Sequence, residues 1–236
     1  MSTKMVFMSK MPEEWMSQVR KLDLEVVEVA DESEALGEIP DADAYYGRMS
    51  PELLAASGQL RWIQATSAGL DNYFFPELRA HEAQVTNMRG IYSDVIAEHV
   101  FAFLLSLSRG MQIYIRRQVE GKWEKQGVDF VHVAGKTLGV LGLGGIGLAV
   151  ASRGSAFGMR VLAVDPAPKG KPVHVERIYE PDQLKEMLAE VDFLTICVPH
   201  TGQTEHMIDA DAIKAMKKSA ILINIGRGKV LDLNAL

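Results

Sequence analysis

A glycine-rich segment between strand-like and helix-like residues constrains the fold most strongly. Residues 142–147 read Gly-Leu-Gly-Gly-Ile-Gly and match G-x-G-x-x-G. They follow the apolar run Leu138 to Leu141, precede a helical pattern over 146–157, and Asp165 comes 18 residues after Gly147. The glycine pattern alone is weakly specific, but a strand, loop, helix and distal acid in this order are typical of a βαβ unit that binds a dinucleotide.

Each glycine has its own task in such a unit. Gly142 permits the tight turn, Gly144 lets the backbone approach a diphosphate, and Gly147 allows the helix to pack closely on the strand. The diphosphate would lie on the unpaired amides at the start of the helix. Asp165 would accept hydrogen bonds from the adenosine ribose, and its charge would repel a 2′-phosphate. We therefore expect NAD as cofactor, with NADP as the alternative because two lysines follow closely. The competing interpretation is a glycine-rich turn that binds nothing.

A second candidate site follows the strand predicted over 220–225, where the sequence continues Gly226-Arg227-Gly228. Ligands of open α/β sheets bind at the carboxyl ends of the strands. Flanking glycines let the backbone come near a ligand, and a guanidinium matches a carboxylate in bidentate fashion. The alternative is an arginine that pairs with a surface acid or caps a loop.

Short strand patterns alternate with helical patterns along the whole chain, which predicts an α/β fold with mostly parallel sheets. A long helix over 93–109 is apolar on nearly all sides and is expected to be buried, between two domains or between two subunits. A polar segment over 116–129 is expected to be a connecting arm. A boundary near residue 94 gives two domains, 1–94 and 95–236. Strands are predicted over 5–8, 24–29, 44–47, 62–66, 84–87, 137–141, 160–164, 173–178, 193–198 and 220–225, and further helices over 12–22, 51–57, 146–157, 181–189 and 210–216.

The net charge and the cysteine content exclude several classes of binding partner and site. With 25 basic and 31 acidic side chains, the formal charge is −6, which argues against nucleic acid or an anionic membrane as partner. The one cysteine, Cys197, excludes an intramolecular disulfide framework and a cysteine-rich metal site, so no metal is expected. The sequence shows neither a signal peptide nor a membrane span. We expect a cytoplasmic protein.

Five motifs in order resemble the D-isomer-specific 2-hydroxyacid dehydrogenases. They are Ser67-Ala68-Gly69-Leu70-Asp71-Asn72, Ala97-Glu98-His99, the glycine loop with Asp165, Cys197-Val198-Pro199-His200-Thr201 through Thr204, and Asn224-Ile225-Gly226-Arg227-Gly228. The resemblance covers essentially the whole chain. It implies a flavodoxin-like substrate domain, a Rossmann-type doubly wound cofactor domain, and hydride transfer between NAD(H) and a small 2-keto or 2-hydroxy acid.

The resemblance also implies roles for individual residues. Arg227 would be the catalytic arginine that holds the substrate carboxylate and keto oxygen, and the amides of Ala68 and Gly69 would assist. The long helix resembles the family's interdomain and dimer-forming element, so a homodimer is expected. Cofactor contacts would come from the glycine loop and two further strand ends, through Gly142, Gly144, Gly145, Ile146, Gly147, Asp165, Val198, Pro199, Ile225, Gly226 and Arg227.

Two questions stay open at this level. The general acid His of the family and its Glu partner follow the arginine loop, on segments that would lie beyond Leu236, so we expect an incomplete cofactor domain and inefficient turnover. The alternative function is an NAD(H)-sensing, non-catalytic interaction protein of the same fold. The identity of the 2-hydroxy acid is also open. Arg89, near the end of a substrate-domain strand, could recognise a second anionic group or be an exposed surface residue.

Overall fold

A computed structural model describes residues 2–70, 73–168, 170 and 172–236. The chain divides into two compact units, Met1–Ile91 and Tyr92–Leu236, three residues before the predicted boundary. Each unit is built on a five-stranded parallel sheet with helices between its strands. The predicted α/β fold is confirmed. Among the described residues, no helix is both long and apolar enough to cross a membrane.

The first unit has the strand order β2-β1-β3-β4-β5, which is the flavodoxin-like order. Its apolar core includes Val6 of β1, Tyr45 of β3 and Ile63 of β4, all without exposed surface. The elements are β1 (Thr3–Phe7), α1 (Glu13–Val19), β2 (Leu24–Glu28), α2 (Glu32–Glu38), β3 (Ala44–Tyr46), α3 (Pro51–Ala56), β4 (Trp62–Gln64), α4 (Pro76–Ala80) and β5 (Gln84–Thr86).

The second unit has the strand order β10-β9-β6-β7-β8, so its first strand lies in the middle of the sheet. This is the order of the first five strands of a Rossmann sheet, and it confirms that part of the predicted fold. The elements are α5 (Ser93–Ser108), α6 (Met111–Val119), β6 (Thr137–Leu141), α7 (Gly145–Ala156), β7 (Arg160–Val164), β8 (Arg177–Tyr179), α8 (Leu184–Glu190), β9 (Phe193–Ile196), α9 (Ala210–Ala215) and β10 (Ile221–Asn224).

The long helix α5 is only partly buried within its unit. One side packs on α7 and on the sheet through Ala97, Val100 and Leu104, none of which has exposed surface. Val95 and Phe103 on other sides stay exposed. The expected burial of these exposed sides between two domains or two subunits stays a prediction.

The segment predicted as a connecting arm begins inside a helix. Helix α6 runs from Met111 to Val119, so it includes the first four residues of the predicted arm. No residue of α6 is buried within its unit, although Met111, Ile115 and Val119 recur every four residues, so the apolar stripe of this helix lies exposed. After α6, the Arg117 guanidinium donates hydrogen bonds to the carbonyls of Glu124 (2.9 Å) and Gln126 (2.8 Å), which hold the following turn.

Candidate cofactor and substrate site

The glycine loop leaves the middle strand of the second sheet in a turn that requires glycine. Gly142 follows β6 with φ of 93°, in the region that side chains disfavour. A Cβ at Gly142 would also lie 2.8 Å from Cγ1 of Val198, which follows β9. A side chain at this position would therefore both strain the backbone and separate β6 from the end of β9.

The last glycine of the motif lets α7 start directly against this turn. A Cβ at Gly147 would lie 1.9 Å from the carbonyl oxygen of Gly142 and 3.2 Å from Cγ1 of Val140. The first contact is far inside the contact distance of carbon and oxygen, so only glycine fits without moving the helix. Gly147 performs the packing task predicted from its place in the motif.

The middle of the loop is open. Gly144 is the N-cap of α7 in an extended conformation, and a Cβ there would meet nothing within 4 Å. No described side chain caps the start of α7, so its first amides and the positive end of its dipole are available to an anion. Gly145 and Ile146 are the first two residues of this helix. The open cradle and unpaired helix start fit the diphosphate of a dinucleotide.

Asp165 is tied to the glycine loop. It directly follows β7, the neighbour of β6, and its Oδ2 accepts a hydrogen bond of 2.7 Å from the Leu143 amide. Its Oδ1 accepts one of 2.9 Å from the Ala167 amide. The sequence predicted the position of this acid but not its bond to the loop. Lys169 and Lys171, which keep NADP as an alternative, lie outside the described residues.

A hydrogen bond between two residues of the loop after β9 closes this loop. The Thr204 hydroxyl donates to the Pro199 carbonyl over 2.6 Å. Val198 is buried whereas Pro199 is exposed at the strand end. Burial raises the pKa of the neighbouring Cys197 thiol to about 12, so this cysteine is unreactive. His200 lies 3.5 Å from a carboxylate oxygen of Glu205, which makes an ion pair when the imidazole is protonated.

The loop after β10 brings Arg227 to the same edge of the sheet. A Cβ at Gly226 would lie 2.6 Å from the Val198 carbonyl oxygen, so only glycine lets the two strand ends come this close. The Asn224 side chain accepts a bond of 3.0 Å from the Gly226 amide and donates one of 3.0 Å to the Arg227 carbonyl. Ile225 is half-buried and the Arg227 side chain is exposed. Sequence reasoning missed the role of Asn224, although its place in an Asn-Ile-Gly-Arg turn is a signal for it.

One edge of the second sheet therefore unites every cofactor residue predicted from the sequence. The carboxyl ends of β10, β9, β6 and β7 lie side by side in this order. They carry in turn the arginine loop, the Val198–Pro199 pair, the glycine loop and Asp165. This edge includes the point beside β6 where the chain reverses direction across the sheet, which is where doubly wound sheets bind their ligands.

The predicted substrate amides lie in a loop of the first unit. Ala68 and Gly69 follow β4, and the Ser67 hydroxyl donates a hydrogen bond of 2.7 Å to the Gly69 carbonyl. The Asn87 side chain, at the end of β5, donates one of 2.7 Å to the Ala68 carbonyl. These bonds occupy carbonyl groups and leave the amides for a ligand. Asp71 and Asn72, the end of this motif, lie outside the described residues.

Comparison with known proteins identifies the second unit. The family model described as "D-isomer specific 2-hydroxyacid dehydrogenase, NAD binding domain" matches residues 101–236. The chain belongs to the D-isomer specific 2-hydroxyacid dehydrogenase family. Both the family resemblance and the expected NAD cofactor are thereby confirmed, the cofactor through the domain that binds it.

Two curated relatives and one solved structure show the extent of the similarity. A glyoxylate reductase of Pyrococcus horikoshii is 38% identical over 196 residues, covering 80% of this chain and 58% of the relative. A hydroxypyruvate reductase of Thermotoga maritima is 32% identical over 223 residues, covering 92% of this chain and 72% of the relative. The crystal structure of a D-isomer specific 2-hydroxyacid dehydrogenase family protein from Aeromonas salmonicida superposes with a TM-score of 0.89 at 29% identity, covering 100% of this chain and 76% of that one. This chain therefore spans between about three fifths and three quarters of the length of these proteins.

Proposed function

We propose that the protein transfers a hydride between NAD(H) and a small 2-keto or D-2-hydroxy acid. The observation that carries the proposal is the place of Arg227, exposed at the end of β10 on the strand edge that also bears the glycine loop and Asp165. A guanidinium there offers a carboxylate two parallel hydrogen bonds. Relatives named glyoxylate reductase and hydroxypyruvate reductase support a small keto acid as substrate.

The residues of this chain contribute binding and orientation. The amides of Gly145 and Ile146 at the start of α7 would hold the diphosphate, and Asp165 the adenosine ribose. When bound, NADH would supply the hydride that passes to C2 of the keto acid, and the keto oxygen would take its proton from water or from the general acid His that the resemblance implies. Arg227 fixes the carboxylate and polarises the keto oxygen, so that charge developing on this oxygen meets a cation already in place.

The two units have separate tasks in this proposal. Residues 1–91 form the substrate domain, in which the Ala68 and Gly69 amides bind the carboxylate, and residues 92–236 form the cofactor domain. A cytoplasmic location is also proposed. It is supported by the single cysteine, Cys197, which is half-buried and whose raised pKa favours the protonated thiol.

A binding experiment tests the role of Arg227 without requiring turnover. Glyoxylate is titrated into protein saturated with NAD⁺, the absorbance at 340 nm is followed to verify that no NADH forms, and the heat of binding is recorded. Replacing Arg227 by Gln should weaken glyoxylate binding about 10- to 100-fold, because a charged hydrogen-bond pair is lost. Lys229→Gln removes an equal charge two residues away and should change glyoxylate affinity less than twofold.

The catalytic part of the proposal is tested by NADH oxidation, followed at 340 nm, with glyoxylate and hydroxypyruvate. Turnover that falls in Arg227→Gln and persists in Lys229→Gln supports it. Absence of glyoxylate binding to the NAD⁺-saturated protein, or equal affinity in wild type and Arg227→Gln, refutes it.

We further propose that the protein is a homodimer joined through α5, α6 and the turn after them. Of the nineteen large apolar side chains exposed among the described residues, nine fall within residues 92–130. They include Val119 (85% exposed) and Trp123 (91%), and Trp123 lines a groove of about 820 Å³ together with Met111 and Phe130. An apolar surface of this kind on a folded unit marks an interaction site, and the resemblance assigns a second copy of the chain to the α5 part of it.

Sedimentation velocity tests the dimer. Wild type should sediment as twice 26.0 kDa, and the pair Val119→Asp with Trp123→Asp should sediment as a monomer. Val173→Asp is the matched control, because Val173 is equally exposed (91%) but lies outside this surface. A monomeric wild type at micromolar concentration, or dissociation by Val173→Asp alone, rejects this interface.

A further inference from the structure

Two arginines of the first unit have no side-chain partner among the described residues, and both lie at the same edge of its sheet. Arg48 is the second residue after β3, and Arg89 is the third residue after β5. Strand β4 lies between these two strands and ends in the loop that carries Ala68 and Gly69. The two arginines therefore flank the loop whose amides are proposed to bind the substrate carboxylate.

The other three arginines of this unit are each engaged. Arg20 bonds to Glu13 at 2.6 Å and to Glu28 at 2.9 Å. Arg61 pairs with Asp43 at 3.1 Å, and the Arg79 guanidinium lies 5.4 Å from the centre of the Phe74 ring. Engaged arginines thus lie elsewhere in the unit, whereas the two that have no side-chain partner in the described part of the chain flank the substrate loop.

The charge around this edge is unlike that of the unit as a whole. Residues 1–91 contain 15 acidic and eight basic side chains, a formal charge of −7. The four residues that follow each of β3, β4 and β5 contain no acid but include Arg48 and Arg89, whereas Asp31 and Glu32 follow the edge strand β2, and the Ser50 hydroxyl donates a hydrogen bond to Glu32. The part of the edge around β4 is therefore cationic, and a cationic patch on an acidic unit attracts small anions.

The backbone around Arg48 is fixed by two buried tyrosines. The Tyr73 hydroxyl donates a hydrogen bond of 2.7 Å to the Gly47 carbonyl, and the Tyr45 hydroxyl donates one of 3.2 Å to the Arg48 carbonyl. Burial raises the pKa of Tyr73, and the Arg48 charge opposes this rise. The Arg48 charge therefore lies near Tyr73, which comes shortly after the substrate loop in the sequence.

The backbone before Arg89 is bonded to the substrate loop itself. The Met88 amide donates a hydrogen bond of 3.2 Å to the Ser67 carbonyl, next to the bond from the Asn87 side chain to Ala68. Neighbouring strands lie about 5 Å apart, so each arginine starts one strand spacing from the loop. That spacing suits a ligand whose two anionic groups are separated by a chain of a few atoms.

We propose that Arg48 and Arg89 form a subsite for a second anionic group, and that the preferred substrates are 2-keto acids with a carboxylate or phosphate at the far end. The inference rests on the proposed function. The Ala68 and Gly69 amides take the carboxylate beside the keto group, and the two guanidinium groups take the distal anion. A planar guanidinium binds carboxylate and phosphate oxygens in the same bidentate manner, so both classes of anion fit.

The test compares pairs of ligands that differ only in the distal charge. Calorimetric titrations of NAD⁺-saturated protein use 2-oxoglutarate against 2-oxopentanoate, and 3-phosphohydroxypyruvate against hydroxypyruvate. In each pair, the ligand that carries the distal anionic group should bind about tenfold or more tightly than its partner. A tenfold gain is the effect of one charged hydrogen-bonded contact. A preference in the first pair alone identifies dicarboxylic substrates, and in the second pair alone phosphorylated ones.

Substitutions assign the preference to the two arginines. Arg48→Gln and Arg89→Gln should each reduce it several-fold, and the double variant should bring the two affinities of a pair within about twofold. Binding of the singly charged ligand should stay unchanged. Arg61→Gln is the matched control, because Arg61 precedes β4 and lies at the opposite edge of the sheet. Melting temperatures of the variants verify that they are folded.

Equal affinity for both members of both pairs in wild type overturns the subsite, as does a preference that survives the double variant. In either case, binding of the singly charged keto acids leaves the proposed function intact. If no keto acid of either pair binds to the NAD⁺-saturated protein, the proposed function fails, and the subsite fails with it.

Discussion

Two glycines of the same loop should respond to alanine in opposite ways. At Gly147 the new Cβ would lie 1.9 Å from the Gly142 oxygen, so α7 has to move by about 1 Å or more to restore a normal contact. Overpacking of this kind costs about 1–3 kcal/mol or more. At 2–4 °C per kcal/mol, Gly147→Ala should lower the melting temperature of the second unit by roughly 5–10 °C.

At Gly144 the same methyl group costs nothing in the folded chain. The residue has φ of −69° and ψ of −171°, which any residue adopts, and the Cβ would meet nothing within 4 Å. Stability should be unchanged or higher by about 0.4–1 kcal/mol, because alanine restricts the unfolded chain. The methyl group fills the space proposed for the diphosphate, however, and NADH should bind about tenfold or more weakly as charged hydrogen bonds are lost.

Thermal denaturation by circular dichroism and titration of NADH fluorescence measure the two effects separately. Gly37→Ala serves as control, because Gly37 lies in α2 of the first unit and its Cβ would also meet open space. It should leave NADH affinity unchanged. Wild-type NADH affinity in Gly144→Ala, or wild-type stability in Gly147→Ala, would refute the assignment of the loop.

Three further outcomes follow from single side chains. Asp165→Ala should reduce the preference for NADH over NADPH, measured as the ratio of their dissociation constants, and an unchanged ratio would remove Asp165 from the ribose site. Cys197 should not react with a thiol reagent at pH 8 until the protein unfolds, because burial raises its pKa to about 12; rapid labelling of the folded protein would contradict this. Burial raises the pKa of Asp192, but bonds from the Thr137 amide (2.9 Å) and Lys217 (3.0 Å) outweigh it and leave the pKa below its ordinary value of 3.8. The carboxylate thus contributes stability above the pKa of the unfolded chain and loses it as the pH falls through the lower, folded pKa; in Asp192→Asn, urea denaturation should show a smaller loss of stability below pH 4 than in wild type.

The sequence predicted those parts of the fold that leave a periodic or conformational signal. Strands buried on both faces appear as continuous apolar runs, and Ser50 before Pro51 marks the start of α3, where the Ser50 hydroxyl accepts a hydrogen bond from the Leu53 amide. Helices α2, α4 and α6 were missed. The first two have only seven and five residues, too few for a full amphipathic pattern, whereas the apolar residues of α6 run directly into the polar, glycine-containing segment interpreted as an arm.

The candidate site divides in the same way. Gly142 and Gly147 could be predicted, because a backbone that tolerates no Cβ selects one residue type. The contribution of Asn87 to the substrate loop could not be predicted. Its bond to the Ala68 carbonyl joins residues 19 positions apart, and no local sequence pattern indicates such a bond. That no described side chain pairs with Arg48 or Arg89 is likewise visible only once the described acids have positions.

The hydrogen bonds that the Asp165 carboxylate already accepts determine how it can bind a ribose. A carboxylate has about four lone-pair positions, and two of them already receive backbone amides, one on each oxygen. One acceptor position remains on each oxygen, and the 2′- and 3′-hydroxyls of an adenosine ribose supply the two donors that would fill them. A ribose whose 2′-oxygen carries a phosphate supplies only one donor, so one of these positions would face acceptors alone.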